Sequence, residues 1–440
     1  MSIELLSPAG TLKNMRYAFA YGADAVYAGQ PRYSLRVRNN DFDMDNLQVG
    51  IDEAHALGKK FFVASNILPH NAKLKTYMAD MAPVVAMGPD ALIMADPGLI
   101  MMVREKWPEM PVHLSVQANT MNWAAVKFWK SVGIERVILS RELSLDEVEE
   151  IRQKCPDMEI EVFVHGALCI AYSGRCLLSG YINKRDPNQG TCTNACRWDY
   201  KVHEAQIDVS GDIKKVEMPV IMKPGQVEGI EEKVYMFEEG GRPGELMPVY
   251  EDEHGTYVMN SKDLRAVQHV QRLMQIGVDS LKIEGRTKSH YYVARTAQVY
   301  RMAIDAAQRG ENIDKDLMMA LDNLANRGYT EGFYRRHVPE EYQNYATGNS
   351  VATQQQFVGE ITAVDEQNRW VDIDVKNKFG VGDSLELMLP TGNINFSLPA
   401  MTDQRGREMQ EALGGGYQVR IPLPEEAKGD VSLGLLMRNF

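Results

Sequence analysis

Short apolar runs alternate with amphipathic segments from the start of the chain to residue 308. The runs indicate buried β-strands, and the amphipathic segments indicate helices. The predicted strands are residues 4–10, 25–29, 59–66, 91–98, 112–119, 136–143, 159–166 and 280–286. The predicted helices are residues 11–21, 46–57, 72–86, 97–106, 121–131, 144–154 and 291–308. Eight βα units favour a TIM-like (β/α)8 barrel over an open doubly wound sheet, and no G-x-G-x-x-G motif follows the first strand.

The pattern also predicts an insertion and a second domain. Residues 167–279 separate the seventh strand from the eighth and include a polar stretch rich in Gly and Pro. After about residue 350 the apolar positions recur with period two, which is typical of a small antiparallel β-barrel. We therefore predict a barrel with its insertion over residues 1–345 and a C-terminal β-domain over 346–440, with a Tyr- and Arg-rich linker at 327–345.

Composition narrows the classes of protein further. The chain has 440 residues and a net charge of −12, so non-specific attraction to nucleic acid or to an anionic membrane is not expected. The N-terminus lacks a signal-peptide pattern, and no apolar run is long enough to span a bilayer. Five cysteines do not make a disulfide scaffold in a chain of this length. We expect a cytoplasmic protein with no membrane partner.

Four of the five cysteines lie in one stretch that follows the seventh predicted strand. Cys169, Cys176, Cys192 and Cys196 are spaced C-x6-C-x15-C-x3-C. Four thiolates suit an iron–sulfur cluster or a zinc ion. Zinc knuckles usually pair their cysteines as C-x2-4-C, and here only the last two come close, so the spacing favours iron–sulfur and leaves zinc as the alternative.

Polar residues follow the other predicted strands at unusual density. In a TIM barrel the C-terminal ends of the strands carry the chemistry, so these residues predict a mouth that binds a polar or anionic ligand. They are Asn66, Asp96, Gln117, Asn119, Arg141, Glu142, His165, Lys282, Glu284 and Arg286. A structural ion pair is the alternative for each of them.

Three residues of this set alternate along the eighth strand. Lys282, Glu284 and Arg286 are predicted to point to one side, into the barrel or its rim, where the arginine would bind carboxylates. Arg36 and Arg38, after the second strand, are predicted to bind substrate in a similar way. For His165 a general acid–base role and a purely buried role are both open.

Several blocks of this sequence resemble the family filed as U32 peptidases. They include EVFVHGALC (161–169), GRCLLS (174–179), the opening LLSPAG and KIEGR. The resemblance covers the whole chain and implies oxygen-independent hydroxylation rather than proteolysis. Known members hydroxylate a tRNA wobble uridine, a ribosomal RNA cytidine or a ubiquinone precursor, and this chain is most similar to the tRNA-modifying branch.

The resemblance implies a specific reaction and a ligand set. The product would be 5-hydroxyuridine at tRNA position 34, with prephenate as the hydroxyl source and a [4Fe-4S] cluster on Cys169, Cys176, Cys192 and Cys196. Expected partners are therefore the tRNA anticodon stem-loop, prephenate and an electron-donor protein. Among the mouth residues, we predict catalytic roles for His165, Lys282 and Glu284 and substrate contacts for Asn66, Gln117, Arg141 and Arg286.

Three alternatives stay open at this point. The first is a collagenase-like peptidase, although the chain has neither an H-E-x-x-H helix nor a G-x-S-x-G elbow. The second is a binding protein that a structural metal braces. The third is a hydroxylase that acts on another RNA or on a quinone precursor.

Overall fold

A computed structural model describes most of the barrel and most of the C-terminal β-domain. The described residues are 3–35, 41–169, 172, 175–176, 188, 200–207, 213–215, 234–239, 246–250, 262–313, 315–326, 328–335 and 355–440. Arg36, Arg38, Cys192 and Cys196 lie outside these ranges, so the predictions for them stay predictions.

Eight parallel strands close into a barrel, which confirms the predicted TIM-like fold. They are β1 (Glu4–Pro8), β2 (Ala25–Gly29), β3 (Lys60–Ser65), β4 (Ala91–Met94), β5 (Val112–Leu114), β6 (Arg136–Ile138), β7 (Glu159–Ala167) and, after the insertion, β13 (Ser280–Ile283). Each strand pairs with the next in chain order, and β13 pairs with both β7 and β1. The ring is thereby complete.

Helices cover the outside of the ring. They are α1 (Leu12–Ala20), α2 (Met44–Ala56), α3 (Asn71–Ala86), α4 (Pro97–Lys106), α5 (Trp123–Ser131), α6 (Leu145–Lys154), α7 (Val270–Ile276), α8 (His290–Gln308) and α9 (Lys315–Asp322). Side-chain N-caps fix most of their starts, because a polar oxygen accepts the free backbone N–H of the third helical residue. The capping residues are Thr11, Asp43, Asp96, Asn122, Ser144 and Ser289.

The insertion holds a small antiparallel sheet and then returns to the barrel. Its strands are β8 (Tyr200–Ile207), β9 (Ile213–Lys215), β10 (Val234–Glu239), β11 (Leu246–Tyr250) and β12 (Asp263–Arg265). The first four form a sheet in the order β11-β10-β8-β9. The fifth pairs antiparallel with the end of β7, and β14 (Tyr329–Thr330) adds beside it.

The C-terminal domain is an antiparallel β-structure, as the alternation predicted. Its strands are β15 (Gln355–Asp365), β16 (Trp370–Val375), β17 (Phe379–Gly380), β18 (Ser384–Leu389), β19 (Gly392–Ser397), β20 (Thr402–Asp403), β21 (Glu411–Ala412), β22 (Gln418–Pro422) and β23 (Leu435–Asn439). Seven of them form one sheet in the order β19-β18-β23-β15-β16-β22-β20. Alternate residues such as Val371, Ile373 and Val375 fill its own core.

The β-domain packs against α1 and α8 of the barrel. Met388, Leu435 and Met437 of the β-domain belong to the same hydrophobic cluster as the barrel interior. Tyr21, just after α1, donates a 2.9 Å hydrogen bond to the carbonyl of Met388. The ring of Tyr291 on α8 stacks on Phe357, with centroids 5.0 Å apart. Within the described ranges, no helix is both long and apolar enough to cross a membrane.

Candidate active site

A ladder of buried charges lies inside the barrel beneath its mouth. Arg136 Nη1 donates to Glu161 Oε2 at 3.2 Å, and Lys282 Nζ donates to Glu161 Oε1 at 2.7 Å. Arg136 also binds Glu4 at the lower end of the barrel. TIM-barrel interiors are usually filled by branched apolar residues, so these buried ions are unusual. These charged side chains extend from the lower end of the barrel towards the mouth.

Burial and ion pairing shift the pKa values of these groups in opposite directions. Burial lowers the pKa of Lys282, and the attraction of Glu161 only partly offsets it. Burial also disfavours the charged form of Arg136, but Glu4 and Glu161 more than compensate and raise its pKa. The ladder therefore keeps its guanidinium firmly charged, whereas Lys282 is the cation that loses its proton more readily.

Tyr27 on β2 brings the three predicted residues of the eighth strand together. Lys282 Nζ lies 4.2 Å from the centre of the Tyr27 ring, and Arg286 Cζ lies 5.7 Å from it. The Tyr27 hydroxyl donates to the Ile283 carbonyl at 3.0 Å and lies 3.1 Å from Glu284 Oε2. The structure therefore gathers Lys282, Glu284 and Arg286 around one aromatic ring.

The predicted eighth strand is too long. It ends at Ile283, because Gly285 adopts a φ of +150°, which leaves the extended conformation. Arg286 still reaches the mouth: its Nη1 donates to Ser34 Oγ at 2.7 Å. Gly29 makes room for this contact, since a Cβ there would lie 2.6 Å from Arg286 Nη1.

Arg141 forms a second cationic position at the mouth. Its guanidinium carbon lies 3.9 Å from the centre of the Phe163 ring on β7. Lys282 Nζ lies 5.6 Å from the same ring, so Phe163 stands between two cations. An arginine fixed on an aromatic face keeps its N–H groups available for a carboxylate or a phosphate.

Two other residues of the predicted set have local roles. Asp96 caps α4 by accepting the backbone N–H of Leu99 at 2.9 Å. Glu142 accepts a hydrogen bond from Ser140. Both contacts organise the loops in which they lie.

The amides after β3 and β5 form a hydrogen-bonded pair. Asn66 Nδ2 donates to Gln117 Oε1 at 3.1 Å and to Ser115 Oγ at 3.2 Å. Asn66 is buried, and Gln117 is half-buried. The structure thus brings together the two uncharged residues predicted to bind substrate. Asn119, which follows them, adopts a left-handed turn with a φ of +50°.

His165 lies on the other side of β7, away from the cations. The register of β7 and β13 shifts between Lys282 and Ile283, and this irregularity turns the imidazole towards α8. Its ring centroid lies within 6 Å of three tyrosine rings, those of Tyr292, Tyr300 and Tyr329. Burial, with help from Arg265 and Lys288, lowers the pKa of His165 to about 3. This environment favours the buried alternative, and a catalytic role for His165 stays a prediction.

The cysteine segment begins at one side of the mouth, and Asn188 within it lies at the opposite side. Cys169 is exposed two residues after β7, and Cys176 is half-buried. Asn188, further along the same segment, accepts the backbone N–H of Leu68 at 3.1 Å. Leu68 follows β3, which stands opposite β7 in the ring. Two described points of the segment that carries the predicted ligands, Cys169 and Asn188, therefore lie at opposite sides of the mouth.

These features fit the thiolate site that the sequence predicts. Two of its four cysteines, Cys169 and Cys176, are solvent-accessible and close to the mouth. Asn188 Nδ2 donates to the carbonyl of Cys176 at 3.2 Å, so these two residues of the segment lie side by side. Among the described residues, no three His, Cys, Asp or Glu side chains are grouped closely enough to hold a metal ion. Cys192 and Cys196 are not among them.

Sequence reasoning missed several residues of the site. Tyr27, Ser34, Glu161 and Phe163 all contact predicted residues, but none lies just past a predicted strand end. A usable signal was present in β7, where Glu161 interrupts an apolar strand at an inward-facing position. A lone carboxylate there requires a buried cation as its partner.

Comparison with known proteins shows which protein family the sequence matches. The sequence model for peptidase family U32 matches residues 10–344, and the model for the C-terminal domain of that family matches residues 353–438. The chain is 66% identical to the tRNA hydroxylation protein P of Escherichia coli (strain K12) over 99% of its own length and 97% of that protein. It is 60% identical to the protein of the same name from Haemophilus influenzae, over 99% and 96%.

A more distant relative acts on a different RNA. The chain is 29% identical to the 23S rRNA 5-hydroxycytidine C2501 synthase of Escherichia coli, over 90% of this chain and 54% of that protein. The two family models together span the barrel and the β-domain. The chain therefore belongs to peptidase family U32.

Proposed function

We propose that this protein is a tRNA hydroxylase. The observation that carries the proposal is the 66% identity, over nearly the full length of both chains, to a tRNA hydroxylation protein. More specifically, the protein would form 5-hydroxyuridine at wobble position 34 without oxygen, with prephenate as the source of the hydroxyl group. The mouth of the barrel offers the cations and amides that such substrates need.

Prephenate carries two carboxylates, and the cationic side of the mouth suits them. Arg286 is held by Ser34 at 2.7 Å, and Arg141 lies 3.9 Å from the Phe163 ring. Guanidinium groups that are fixed in this way bind carboxylates without losing much side-chain freedom. Lys282, behind the Tyr27 ring, adds positive charge from below.

Glu284 is the group best placed to handle a proton. Its Oε2 lies 3.1 Å from the Tyr27 hydroxyl, next to the cations that would hold the co-substrate. Replacing the C5 hydrogen of uracil by a hydroxyl group is a two-electron oxidation, for which prephenate would be the oxidant. The C–O bond to the prephenate hydroxyl breaks as the C5–O bond forms, prephenate takes up the two electrons, and the C5 hydrogen leaves as a proton. In the proposed reaction Glu284 Oε2 accepts that proton from a uracil that has been splayed out of the anticodon loop.

Cys169, Cys176, Cys192 and Cys196 would hold an iron–sulfur cluster of the [4Fe-4S] type. Such a cluster supplies one-electron transfer when it is bound, and an electron-donor protein is the partner that it would require. The placement of Cys169 beside β7, and of Asn188 in the same segment at the opposite side of the mouth, supports this assignment. The β-domain and residues 327–345 would help to hold the anticodon stem-loop.

Nucleoside analysis of a deletion strain tests the proposal. Mass spectrometry of its tRNA is expected to show loss of 5-hydroxyuridine and its derivatives, and wild-type protein restores them. Cys169→Ala does not restore them, whereas Cys155→Ala, at a buried thiol outside the quartet, does. Iron and sulfide analysis after anaerobic purification should give less of both for Cys169→Ala. Unchanged nucleosides in the deletion strain would refute the proposal, and peptide hydrolysis that survives removal of the cluster would favour the peptidase.

A further inference from the structure

A chain of hydrogen bonds fixes the orientation of two amides at the mouth. The backbone N–H of Leu35 donates to Asn66 Oδ1 at 3.3 Å. Asn66 Nδ2 then donates to Gln117 Oε1 at 3.1 Å and to Ser115 Oγ at 3.2 Å. Ser115 Oγ in turn donates to Gln117 Oε1. The chain thus runs from a backbone group, through Asn66, to the side chain of Gln117.

The first member of this chain determines the direction of all the others. A backbone N–H can only donate, so the oxygen of Asn66 must face Leu35 and its nitrogen must face Gln117. Gln117 consequently turns its oxygen inward, where it accepts from both Asn66 and Ser115. Within the described part of the chain, Gln117 Nε2 donates no hydrogen bond. Gln117 therefore presents only N–H donors to a ligand.

The cations and the amides occupy different parts of the mouth. Gln117 follows β5, which stands opposite β1 in the ring, whereas Lys282 and Arg286 belong to or follow β13, next to β1. Arg141 follows β6, the neighbour of β5, but its guanidinium lies against the Phe163 ring on β7. An anionic co-substrate is best bound at the cations. An uncharged base is best bound at the uncharged amides, because it needs directional hydrogen bonds without a counter-charge.

We propose that Gln117 Nε2 recognises a carbonyl oxygen of the target pyrimidine, O4 of uracil, and that Asn66 is the residue that positions it. Cytosine carries an amino group in place of O4, so two sets of N–H donors would then face each other. The site would therefore select uridine over cytidine. This inference rests on the proposed function and specifies how its substrate is chosen.

Two isosteric variants test the polarity of the amides. In Gln117→Glu one carboxylate oxygen still accepts from Asn66 and Ser115, and the other replaces the outward N–H donors. In Asn66→Asp the residue at 117 is unchanged, but the new carboxylate can only accept, so Gln117 must turn its amide over and present its oxygen to the mouth. Gln153→Glu, at an exposed amide on α6, is the control for the added charge.

The measurement is the affinity for anticodon stem-loop RNAs with U or C at the target position, by fluorescence anisotropy of the intact, anaerobically purified protein. Wild type and Gln153→Glu are expected to prefer U by roughly tenfold or more, and both test variants are expected to lose that preference. Thermal unfolding shows that each variant is folded. The two variants replace the N–H donors that face the mouth by an oxygen in different ways. The same loss of the preference for U in both variants therefore supports the proposal.

Other results overturn it. They are a wild type that does not distinguish U from C, test variants that keep the preference, or variants in which only the KM for prephenate rises. The last result would indicate that Gln117 binds a carboxylate of prephenate instead of the base. A protein that prefers the U loop through Gln117 but leaves the tRNA unhydroxylated would refute the proposed function and leave this inference standing.

Discussion

The His165 imidazole occupies a pocket of tyrosine rings between β7 and α8. Its Nδ1 lies 3.4 Å from the Tyr300 hydroxyl, and its Nε2 has no hydrogen-bond partner among the described residues. Burial lowers its pKa to about 3, so the folded protein holds it neutral at ordinary pH. A buried neutral histidine makes stability depend on pH, because the unfolded chain binds its proton more readily.

The direction of this dependence can be predicted. Above the unfolded pKa of 6.5, His165 is neutral in both states and contributes no pH dependence. Below it, the unfolded state gains a proton that the folded state refuses, so stability falls until the folded pKa of about 3 is reached. Between pH 7.5 and 5.5, wild type should lose about 1.4 kcal/mol more of its unfolding free energy than His165→Gln.

Urea unfolding at the two pH values measures this difference. His70→Gln, a change at an exposed imidazole, is the matched control. An equal loss in wild type and in His165→Gln would mean that the imidazole is not held neutral by burial.

At the level of single residues, the sequence predicts which side chains lie near each other at the mouth but not how they are oriented. Strand ends that meet at one face of a barrel explain why Asn66, Gln117 and Arg286 could be assigned to one mouth. The pairing of Lys282 with Glu161 could not be predicted, because it depends on the register between β13 and β7. The amide orientation of Gln117 depends on a backbone N–H contributed by a different loop.

At the level of elements, two glycines join the ends of β7 and β13. Gly166 has a φ of +101°, and a Cβ there would lie 2.3 Å from the carbonyl oxygen of Glu284. Gly285 has a φ of +150°, and its Cβ would lie 2.6 Å from the Tyr292 ring. Tyr292 on α8 donates to the Glu284 carbonyl at 2.8 Å. Close backbone contact therefore sets the position of Glu284 relative to the start of the cysteine segment.

Gly166→Ala is expected to destabilise the protein more than an alanine at another glycine with positive φ. Gly88, with a φ of +72° and no atom within 4 Å of the place that a Cβ would occupy, is the matched control. Gly88→Ala should cost about 1 kcal/mol of unfolding free energy, which is the cost of the left-handed backbone alone. Gly166→Ala adds a steric clash with Glu284 and should cost about 3 kcal/mol or more.

Urea denaturation gives both values, and nucleoside analysis shows whether the displaced Glu284 also lowers activity. Similar unfolding free energies for the two variants would show that the strand ends can separate without loss.

The barrel strands could be predicted because they are apolar runs, and most helices because they have an apolar face of the right period and a side-chain cap. The short helix α9 was not predicted. The short strand β12 could not be predicted either. Its three residues, Asp263–Arg265, are too few to show a period, and its direction depends on pairing with β7. The predicted extent of β13 was wrong for a similar local reason, since the alternation of KIEGR hides the turn at Gly285.

On the scale of the whole molecule, the barrel and the β-domain are joined by buried polar contacts. Arg295 on α8 is 2% exposed and binds Glu386 and Gln355 of the β-domain. Glu360 of the β-domain is contacted by Lys13, His290 and Lys376. Burial would raise the pKa of Glu360, but hydrogen bonds from these three residues keep it well below the usual range. These contacts and the shared apolar cluster indicate that the two domains unfold together.

Arg295→Met tests this coupling. It leaves the Glu386 carboxylate at the interface without its cation, and it should cost about 3–5 kcal/mol of unfolding free energy. Arg309→Met, at an exposed arginine paired with exposed Glu311, should leave the unfolding free energy nearly unchanged. Hydrogen exchange followed by mass spectrometry should show protection of β3 and β16 lost at the same urea concentration in wild type. Loss of this protection in one domain at a much lower urea concentration than in the other would contradict coupled unfolding.

The insertion leaves the barrel after Ala167 and returns at Asp263, two residues that pair directly across one ladder. Its ends are therefore anchored at a single point of the scaffold, whatever lies between them. Segments attached in this way can grow, shrink or be exchanged without altering how the eight barrel strands must align. Evolution can therefore vary the length and sequence of this one insertion while the barrel beneath it keeps its architecture.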